Sequence, residues 1–379
     1  MRLYGQLKQM SKEARNLVRA EYPSFVFDSN PKEIDFIPIF AYHRVNPTEF
    51  ESDLCFLQSN GYRTVTGEEY IGWLNGESGS WKGSVLLTFD DGMSSVYTHG
   101  LPLLEKYGMH AMVFLVSGYM MEDAEERKGS IRDELWNPLL SWKEVDEMQC
   151  SGFFSFGSHT SFHHPSFASN DLIDFGNPKY SSMVIDIPVE KGTEGEIREE
   201  GTREFWGRPI YRHNHLMHGK HLYSNEIARK SCMEYVQEAG GLSFFERPTW
   251  KRELTEVATR FQRDGRMLEP SEISDLILAD LVNSKKTIEK RIGCEIHHLC
   301  YPYGAGSDLS MRRSKEAGFE TNVWQTLPYR SRNCIGGDPF RLVRLKKDFL
   351  RRLPGKGRRR LLDTYLHKVK RRIEGKAYY

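Results

Sequence analysis

Short apolar segments alternate with amphipathic segments along most of this chain. Predicted strands cover residues 34–41, 84–89, 111–116, 153–156 and 296–301. Between them, helical periodicity predicts helices over 48–60, 96–107, 142–151 and 270–291. This alternation favours parallel strands with helices packed outside them. In a parallel (β/α) barrel the functional residues collect at the carboxyl ends of the strands, so a site is expected there.

The predicted strand over 84–89 ends in two adjacent carboxylates, Asp90 and Asp91, followed by Gly92. Once the strand ends, both side chains can turn toward the same space. Two close carboxylates repel, so one of them must bind a proton or a cation. A divalent metal would bind one Asp and leave the other free to handle protons. The alternative interpretation is an ordinary turn, because Asp and Gly are common turn residues.

A histidine-rich segment lies at residues 156–165 and contains His159, His163 and His164. Imidazole is the commonest side-chain metal ligand in proteins. His159 and His163 are four residues apart, so one helical turn would place both rings on the same face. One Asp with two His is typical of a hydrolytic zinc site, and the Thr160 hydroxyl could support a ligand. A solvated loop is the alternative.

These motifs in combination resemble the polysaccharide deacetylase family, whose domain is also called the NodB homology domain. The resemblance rests on TFDDG at 88–92, SHTSFH at 158–163 and YPYG at 301–304, in that order. Residues 40–45, FAYHRV, are similar to the strand that opens one branch of the family. The resemblance implies an α/β fold, a distorted (β/α)7-type barrel with strands and helices in alternation.

The resemblance also implies catalytic roles and a cofactor. Asp90 would be the general base that activates the attacking water, and His43 the general acid that protonates the leaving amine. The cofactor would be one divalent metal. Zn²⁺ is the metal expected, although the same ligands accept Co²⁺ and Ni²⁺.

The implied metal ligands are Asp91, His159 and one further histidine. His163 has the family's spacing of four residues from His159. His164 directly precedes Pro165, as the second histidine does in the family. Both therefore remain candidates.

Tyr301, Pro302 and Tyr303 are expected to bind or orient the substrate. Family members often carry an Arg ahead of the Pro-Tyr-Gly motif that orients the catalytic base, and we assign that position to Tyr301 here. Arg344 or Arg341 could supply the missing guanidinium, because Arg forms bidentate pairs with carboxylates.

The implied function is a metal-dependent hydrolase that removes the N-acetyl group of an N-acetylhexosamine unit, in surface polysaccharide or lipid-linked glycan biosynthesis. The implied partner is therefore a carbohydrate. Two alternatives remain open at this point. One is a carbohydrate O-acetyl esterase, and the other is a non-catalytic relative that binds glycan or membrane.

Four regions are predicted: an N-terminal extension at 1–35, the barrel at 36–350, an insertion at 169–266 within it, and a basic tail at 351–379. The insertion leaves from the loop after His164, which favours a lid or a substrate-selecting subdomain. Within it, helices are predicted over 224–239 and 250–263. The insertion also contains a cluster of acids between residues 190 and 204. Its histidine-rich segment at 211–221 is predicted to be a loop that faces solvent or substrate rather than a second metal site.

The tail differs in charge from the rest of the chain. Residues 346–379 contain thirteen Lys or Arg and three acids, about +10, whereas the whole chain carries +1. Helical spacing would place five apolar residues on one face, opposite the basic ones: Leu362, Tyr365, Leu366, Val369 and Ile373. This pattern predicts contact with an anionic membrane. A helix docked on the barrel is the alternative.

Composition narrows the partners and the compartment. The net charge of +1 and the sparse aromatics in the tail give no reason to expect nucleic acid. Six cysteines without CxxC spacing do not form a disulfide framework. Residues 1–28 lack the apolar run of a signal peptide. We therefore expect a cytoplasmic protein, with peripheral contact at the inner face of the membrane.

Overall fold

The computed structural model describes residues 21–31, 33–124, 138–180, 183–190 and 205–373, except the side chains of residues 372 and 373. Most of the predicted N-terminal extension, most of the acids between residues 190 and 204 and the last six residues of the tail lie outside the described residues. The strands are β1 (Ile39–Tyr42), β2 (Arg63–Thr64), β3 (Ser84–Phe89), β4 (Ala111–Leu115), β5 (Phe154–Ser158), β6 (Pro165–Phe175), β7 (Pro209–His215), β8 (Tyr223–Ser224), β9 (Arg266–Met267), β10 (His298–Cys300), β11 (Thr321–Val323) and β12 (Leu345–Lys346).

The α-helices of the described ranges lie mainly between these strands. They are α1 (Ser24–Phe27), α2 (Pro47–Ser59), α3 (Gly67–Leu74), α4 (Leu101–Tyr107), α5 (Trp142–Ser151), α6 (Glu226–Glu238), α7 (Trp250–Arg260), α8 (Pro270–Ile292), α9 (Asp308–Glu316) and α10 (Leu361–Ile373). Several begin at the side-chain caps that their sequences provide. Thr66 and Ser141, for example, each form a capping box with the Glu three residues later.

Seven parallel strands form a curled sheet in the order β11-β10-β5-β4-β3-β1-β12, and β2 pairs with β3. Residues 342–345 contact strands near both edges of this sheet. Leu342 bridges to Val323 of β11, and Leu345 pairs with Phe40 of β1. The predicted α/β fold with a distorted (β/α)7-type barrel is therefore confirmed.

Alternation along the strands divides the core into two layers. In β3, Val85 and Leu87 belong to the large cluster that the helices cover, whereas Leu86 belongs to a smaller cluster on the opposite face. Tyr70 and Trp73 of α3 complete that smaller cluster. Because successive side chains of a strand point to opposite faces, the sheet is buried on both sides. This explains the predominantly apolar sequences of β3 and β4.

The predicted strands and helices of the barrel are confirmed with shifted boundaries. The segment 96–107 begins with a π-helical turn at Val96–Gly100 and becomes α-helical at Leu101. The short strands β2, β11 and β12 and the helices α3 and α9 are not among the predicted elements. They are two to nine residues long, too short for a clear periodic signal.

The inserted region contains regular structure where a loop is expected. Strands β6 and β7 form an antiparallel pair, with Phe167 opposite His213 and Phe175 opposite Pro209. The predicted histidine-rich loop at 211–221 is therefore partly wrong, because its first residues belong to β7. Helices α6 and α7 are as predicted, and they pack around a separate apolar cluster that includes Phe175 and Phe244.

The tail helix α10 docks on the barrel. Tyr365 packs toward the core, and the Arg371 guanidinium pairs with Asp348. Leu362 and Leu366, by contrast, are 65% and 59% exposed, so the predicted apolar face is open to solvent at these two residues. The Ile373 side chain lies outside the described residues. None of the described helices has the length and hydropathy that crossing a bilayer requires.

Candidate metal centre

The predicted site residues converge at the carboxyl ends of the central strands. His43 follows β1, Asp90 and Asp91 follow β3, and His159 follows β5. Because these strands are parallel members of one sheet, in the order β5-β4-β3-β1, their carboxyl ends lie along the same edge. The fold therefore brings together residues that lie more than a hundred positions apart in the chain.

Asp91, His159 and His163 form a buried group suited to a metal ion. Asp91 Oδ1 lies 3.4 Å from Nε2 of His159 and 3.4 Å from Nε2 of His163. One ligand atom from each residue lies within 4.8 Å of the others. The group combines one carboxylate with two imidazoles, the donor set of a catalytic zinc site. These three residues therefore fit a divalent metal.

Backbone carbonyls orient both imidazoles. Nδ1 of His159 lies 2.8 Å from the Cys300 carbonyl oxygen, and Nδ1 of His163 lies 3.3 Å from that of Ile185. A carbonyl can only accept, so each Nδ1 carries a proton and each Nε2 is the nitrogen left available to a metal ion. This is the tautomer that a metal ligand requires.

The ligand segment is a strained turn rather than the predicted helical turn. Asp91, Thr160 and His163 have φ angles of 69°, 70° and 68°, a region that non-glycine residues seldom adopt. The Thr160 hydroxyl accepts a hydrogen bond from the His163 backbone N–H at 3.2 Å, which is the predicted supporting role. Gly92 also has a positive φ, 69°, so the chain turns sharply right after Asp91.

The surroundings set the charges of the candidate ligands. Burial raises the pKa of Asp91, but the histidines lower it more, so this carboxyl stays ionised. Burial lowers the pKa of His163, which favours the neutral ring. Burial also lowers the pKa of His159, but Cys300 and Asp91 raise it above the ordinary value. A metal ion would therefore compete with a proton on His159.

Asp90 is held by a buried arginine. Arg344 Nη1 and Nη2 donate to Asp90 Oδ1 and Oδ2 at 2.6 and 2.5 Å, and both side chains are at most 2% exposed. Burial raises the pKa of Asp90, but the Arg344 charge and hydrogen bonds contribute to a pKa below the ordinary value. Of the two predicted arginines, Arg344 has this contact, whereas Arg341 pairs with Asp308 at the surface.

His43 lies at the rim of the same group. Its Nε2 is 3.7 Å from Asp90 Oδ2, and its side chain is 36% exposed. The candidate base is thus buried, and the candidate acid beside it faces solvent. This arrangement leaves His43 accessible to a substrate that approaches from outside.

Two predicted site residues lie elsewhere. Nδ1 of His164 faces the Ile187 carbonyl at 2.7 Å, and its Nε2 faces the Tyr119 hydroxyl. His164 belongs to neither of the two potential metal groups found in the described ranges, so the geometry favours His163 as the ligand. His164 follows a residue with positive φ, and this change in backbone direction separates the two neighbouring rings.

The prediction that Tyr301, at the position of the family's arginine, binds or orients the substrate is wrong. Its ring is fully buried against Trp324, and its hydroxyl accepts a hydrogen bond from Asn322. Its neighbour Cys300 faces the site instead, with Sγ 3.8 Å from Asp90 Oδ1. Alternation along β10 explains the difference, because adjacent residues of a strand point to opposite faces. The same alternation can be read from the sequence, where it indicates that Cys300 and Tyr301 point in opposite directions.

The turn at Pro302–Gly304 supports the predicted position of Tyr303 at the site. Pro302 is buried, and Tyr303 has a φ of 57° and is 44% exposed. The Tyr303 ring centroid lies 4.6 Å from that of His163. The Tyr303 hydroxyl donates a hydrogen bond to Asp186, a residue of the inserted region that carries no sequence signal for a site.

The fold and the site define a barrel protein with a candidate metal centre at the carboxyl ends of its strands. Residues 79–185 match the family model described as polysaccharide deacetylase. The resemblance to that family is thereby confirmed. The deacetylase domain of BpsB from Bordetella bronchiseptica has a similar fold, with a TM-score of 0.50, 18% identity, and coverage of 83% of this chain and 97% of that one.

Sequence similarity extends to two curated proteins named poly-beta-1,6-N-acetyl-D-glucosamine N-deacetylase. The protein from Staphylococcus epidermidis is 33% identical over 119 residues, which are 31% of this chain and 37% of that protein. The protein from Staphylococcus aureus is 28% identical over 163 residues, 41% of this chain and 50% of that protein. The chain thus matches a half or less of the length of these relatives.

Proposed function

We propose that this protein is a metal-dependent carbohydrate N-deacetylase. It hydrolyses the N-acetyl group of an N-acetylhexosamine unit to the free amine and acetate. The observation that carries the proposal is the Asp91–His159–His163 group beside an Asp90 that Arg344 keeps ionised. The N-deacetylase names of the two staphylococcal relatives support the choice of bond and substrate class.

The positions of the side chains account for the proton transfers of such a reaction. When bound by Asp91, His159 and His163, a divalent metal polarises the acetyl carbonyl and lowers the pKa of water. Asp90 accepts a proton from the attacking water, and Arg344 holds the carboxylate in place. His43 donates a proton to the amine nitrogen as the C–N bond breaks. Acetate and the free amine are the products.

Acetate release from N-acetylated and O-acetylated oligosaccharides, with and without chelator, tests the proposal. We expect chelator-sensitive release from the N-acetylated substrate. Release from the O-acetylated substrate alone would favour the esterase alternative, and no release from either would favour a binding protein. Zn²⁺, Co²⁺ and Ni²⁺ added back separately would identify the metal, for which Zn²⁺ is our proposal.

Two substitutions separate the role of base from the role of ligand. Asp90→Asn should abolish turnover and retain the metal, because Asp90 is assigned to proton transfer. Asp91→Ala should lose the metal. Asp171→Asn is a matched control, because Asp171 of β6 pairs with the exposed Arg212 of β7. Full activity of Asp90→Asn would contradict the assignment of the base.

We further propose that residues 351–379 contact an anionic membrane peripherally, where a lipid-linked glycan would be available. The support is the exposed apolar stripe of α10, formed by Leu362, Leu366 and Val369, within a strongly basic segment. Arginines such as Arg352 and Arg358 in this segment are bonded to backbone carbonyls of the protein, so the apolar stripe matters more than the total charge. The expected cytoplasmic location remains a prediction.

Flotation with anionic vesicles tests this contact on the full chain. Leu362→Ser with Leu366→Ser should reduce vesicle binding. Leu242→Ser, at a 52% exposed position of the insertion, should not. Equal binding of all three proteins would rule out the tail as the contact surface.

A further inference from the structure

The inserted region reaches the candidate metal centre through a short turn at Val184–Asp186, here called the inserted turn. The Ile185 carbonyl accepts a hydrogen bond from His163 Nδ1 at 3.3 Å. Asp186 Oδ1 lies 3.7 Å from the same nitrogen. Two successive residues of the inserted turn therefore face the side of the His163 ring that points away from Asp91.

Tyr303 connects the inserted turn to the barrel. Its hydroxyl donates a hydrogen bond to Asp186, and its ring lies against His163. His215, the last residue of β7, stacks on the Tyr303 ring at 4.0 Å with an interplanar angle of 22°. The positive φ of Tyr303, 57°, is a strained conformation that these contacts hold in place.

The two candidate histidine ligands differ in their support. His159 has a short hydrogen bond of 2.8 Å to a carbonyl of β10, which is part of the barrel. His163 has a longer one of 3.3 Å and a carboxylate close by, both from the inserted turn. The orientation of His163 thus depends on residues outside the barrel strands.

We propose that Asp186 is a positioning residue that orients His163 as a metal ligand and thereby makes metal affinity depend on the inserted region. The inference rests on the proposed metal-dependent function. A carboxylate near the proton-bearing nitrogen stabilises the tautomer that presents Nε2 to the metal, and it makes the imidazole a stronger ligand. At 3.7 Å the carboxylate acts on His163 through its charge, and Tyr303 fixes its position.

Metal affinity of the purified full chain, measured by competition with a chromogenic chelator for Zn²⁺, tests the proposal without an activity assay. Asp186→Asn should weaken Zn²⁺ binding by about 10- to 100-fold, the range seen when such supporting carboxylates are removed. Asp186→Glu should recover part of the affinity because it restores the charge. Tyr303→Phe should weaken binding less than Asp186→Asn, because the carboxylate remains.

Matched controls separate positioning from folding. Asp171→Asn removes an acid from the same inserted region, and Tyr329→Phe removes a hydroxyl from a fully exposed tyrosine; both should bind Zn²⁺ as the wild type does. The thermal midpoint of Asp186→Asn in excess chelator should match that of the wild type. With Co²⁺, its visible absorption bands should shift, since they report the ligand geometry.

The outcomes distinguish this inference from the proposed function. A wild-type protein that binds no Zn²⁺, Co²⁺ or Ni²⁺ would overturn the proposed function itself. The role of Asp186 alone would be overturned if the wild type binds Zn²⁺ and Asp186→Asn binds it with an affinity within twofold of the wild type. Its Co²⁺ spectrum would then also be unchanged.

Discussion

The buried pair of Arg344 and Asp90 allows a quantitative prediction. Two unit charges about 4 Å apart attract by about 4 kcal/mol at an effective dielectric constant of 20. Removing one partner of a buried pair costs about 3–5 kcal/mol, because the other charge is left without compensation. Both side chains here are at most 2% exposed and form two direct hydrogen bonds. Arg344→Met should therefore lower the free energy of unfolding by about 3–5 kcal/mol.

Urea unfolding in the presence of chelator measures this cost without a contribution from metal. The double variant Arg344→Met with Asp90→Asn should recover part of the stability, because no buried charge then remains. Arg341→Met is the matched control, since Arg341 pairs with Asp308 where both are exposed. Such pairs contribute about 0–1 kcal/mol. A loss below about 1 kcal/mol in Arg344→Met would refute the reasoning.

The same substitution should change the dependence on pH. Arg344 contributes to the lowered pKa of Asp90, so its contribution to stability is present above the ordinary carboxyl pKa and is lost as pH falls. In Arg344→Met the Asp90 pKa should rise. The acid limb of kcat/KM should then move to higher pH, and the stability gap from the wild type should narrow in acid. If the acid limb of kcat/KM does not move, Asp90 is not the catalytic base.

Two further predictions concern a buried acid and the proposed catalytic acid. Burial raises the pKa of Asp53 from 3.8 to about 6, a difference that corresponds to about 3 kcal/mol. The wild type should lose stability as pH rises from about 4 to about 6, because the folded state binds the extra proton. Asp53→Asn should remove that slope in urea unfolding at several pH values and keep a hydrogen bond with the Tyr42 hydroxyl; an unchanged slope would contradict the assignment. His43→Gln should slow N-acetyl hydrolysis by about 10²- to 10⁴-fold but spare an aryl acetate, whose leaving group needs no proton. Equal losses on both substrates would exclude His43 as the acid.

Most of the barrel could be predicted from sequence because its elements have strong local signals. Strand β3 is rich in apolar residues and fully buried, and α8 has a proline near its start, clear periodicity and a glycine after its end. The pair β6–β7 lacked such a signal. Its strands carry polar residues at many positions, and Pro165 is separated from its partner His215 by fifty residues. Pairing over such a distance depends on the tertiary structure rather than on local sequence.

The sequence predicts those parts of the candidate site in which a motif directly follows a strand. Asp90, Asp91 and His159 follow β3 and β5, so parallel topology alone brings them together. Asp186 carries no comparable signal, because it belongs to a region without resemblance to the barrel motifs. Tyr301 belongs to the motif but is buried away from the site, because side chains alternate in direction from Cys300 to Tyr301.

The spacing of His159 and His163 predicts that the two rings lie together, as they do, but the helical turn that it implies is absent. A helical turn would bring residues four apart together, but the chain achieves this with two residues in the left-handed region. Of the five non-glycine residues with positive φ in the described ranges, four lie at the candidate metal centre: Asp91, Thr160, His163 and Tyr303. Each such conformation costs on the order of 1–3 kcal/mol, so it persists only where surrounding contacts impose it. Here the contacts come from both the barrel and the inserted turn. The strain therefore explains why local sequence rules fail at this site, and why substitutions in the inserted turn are expected to affect the metal ligands.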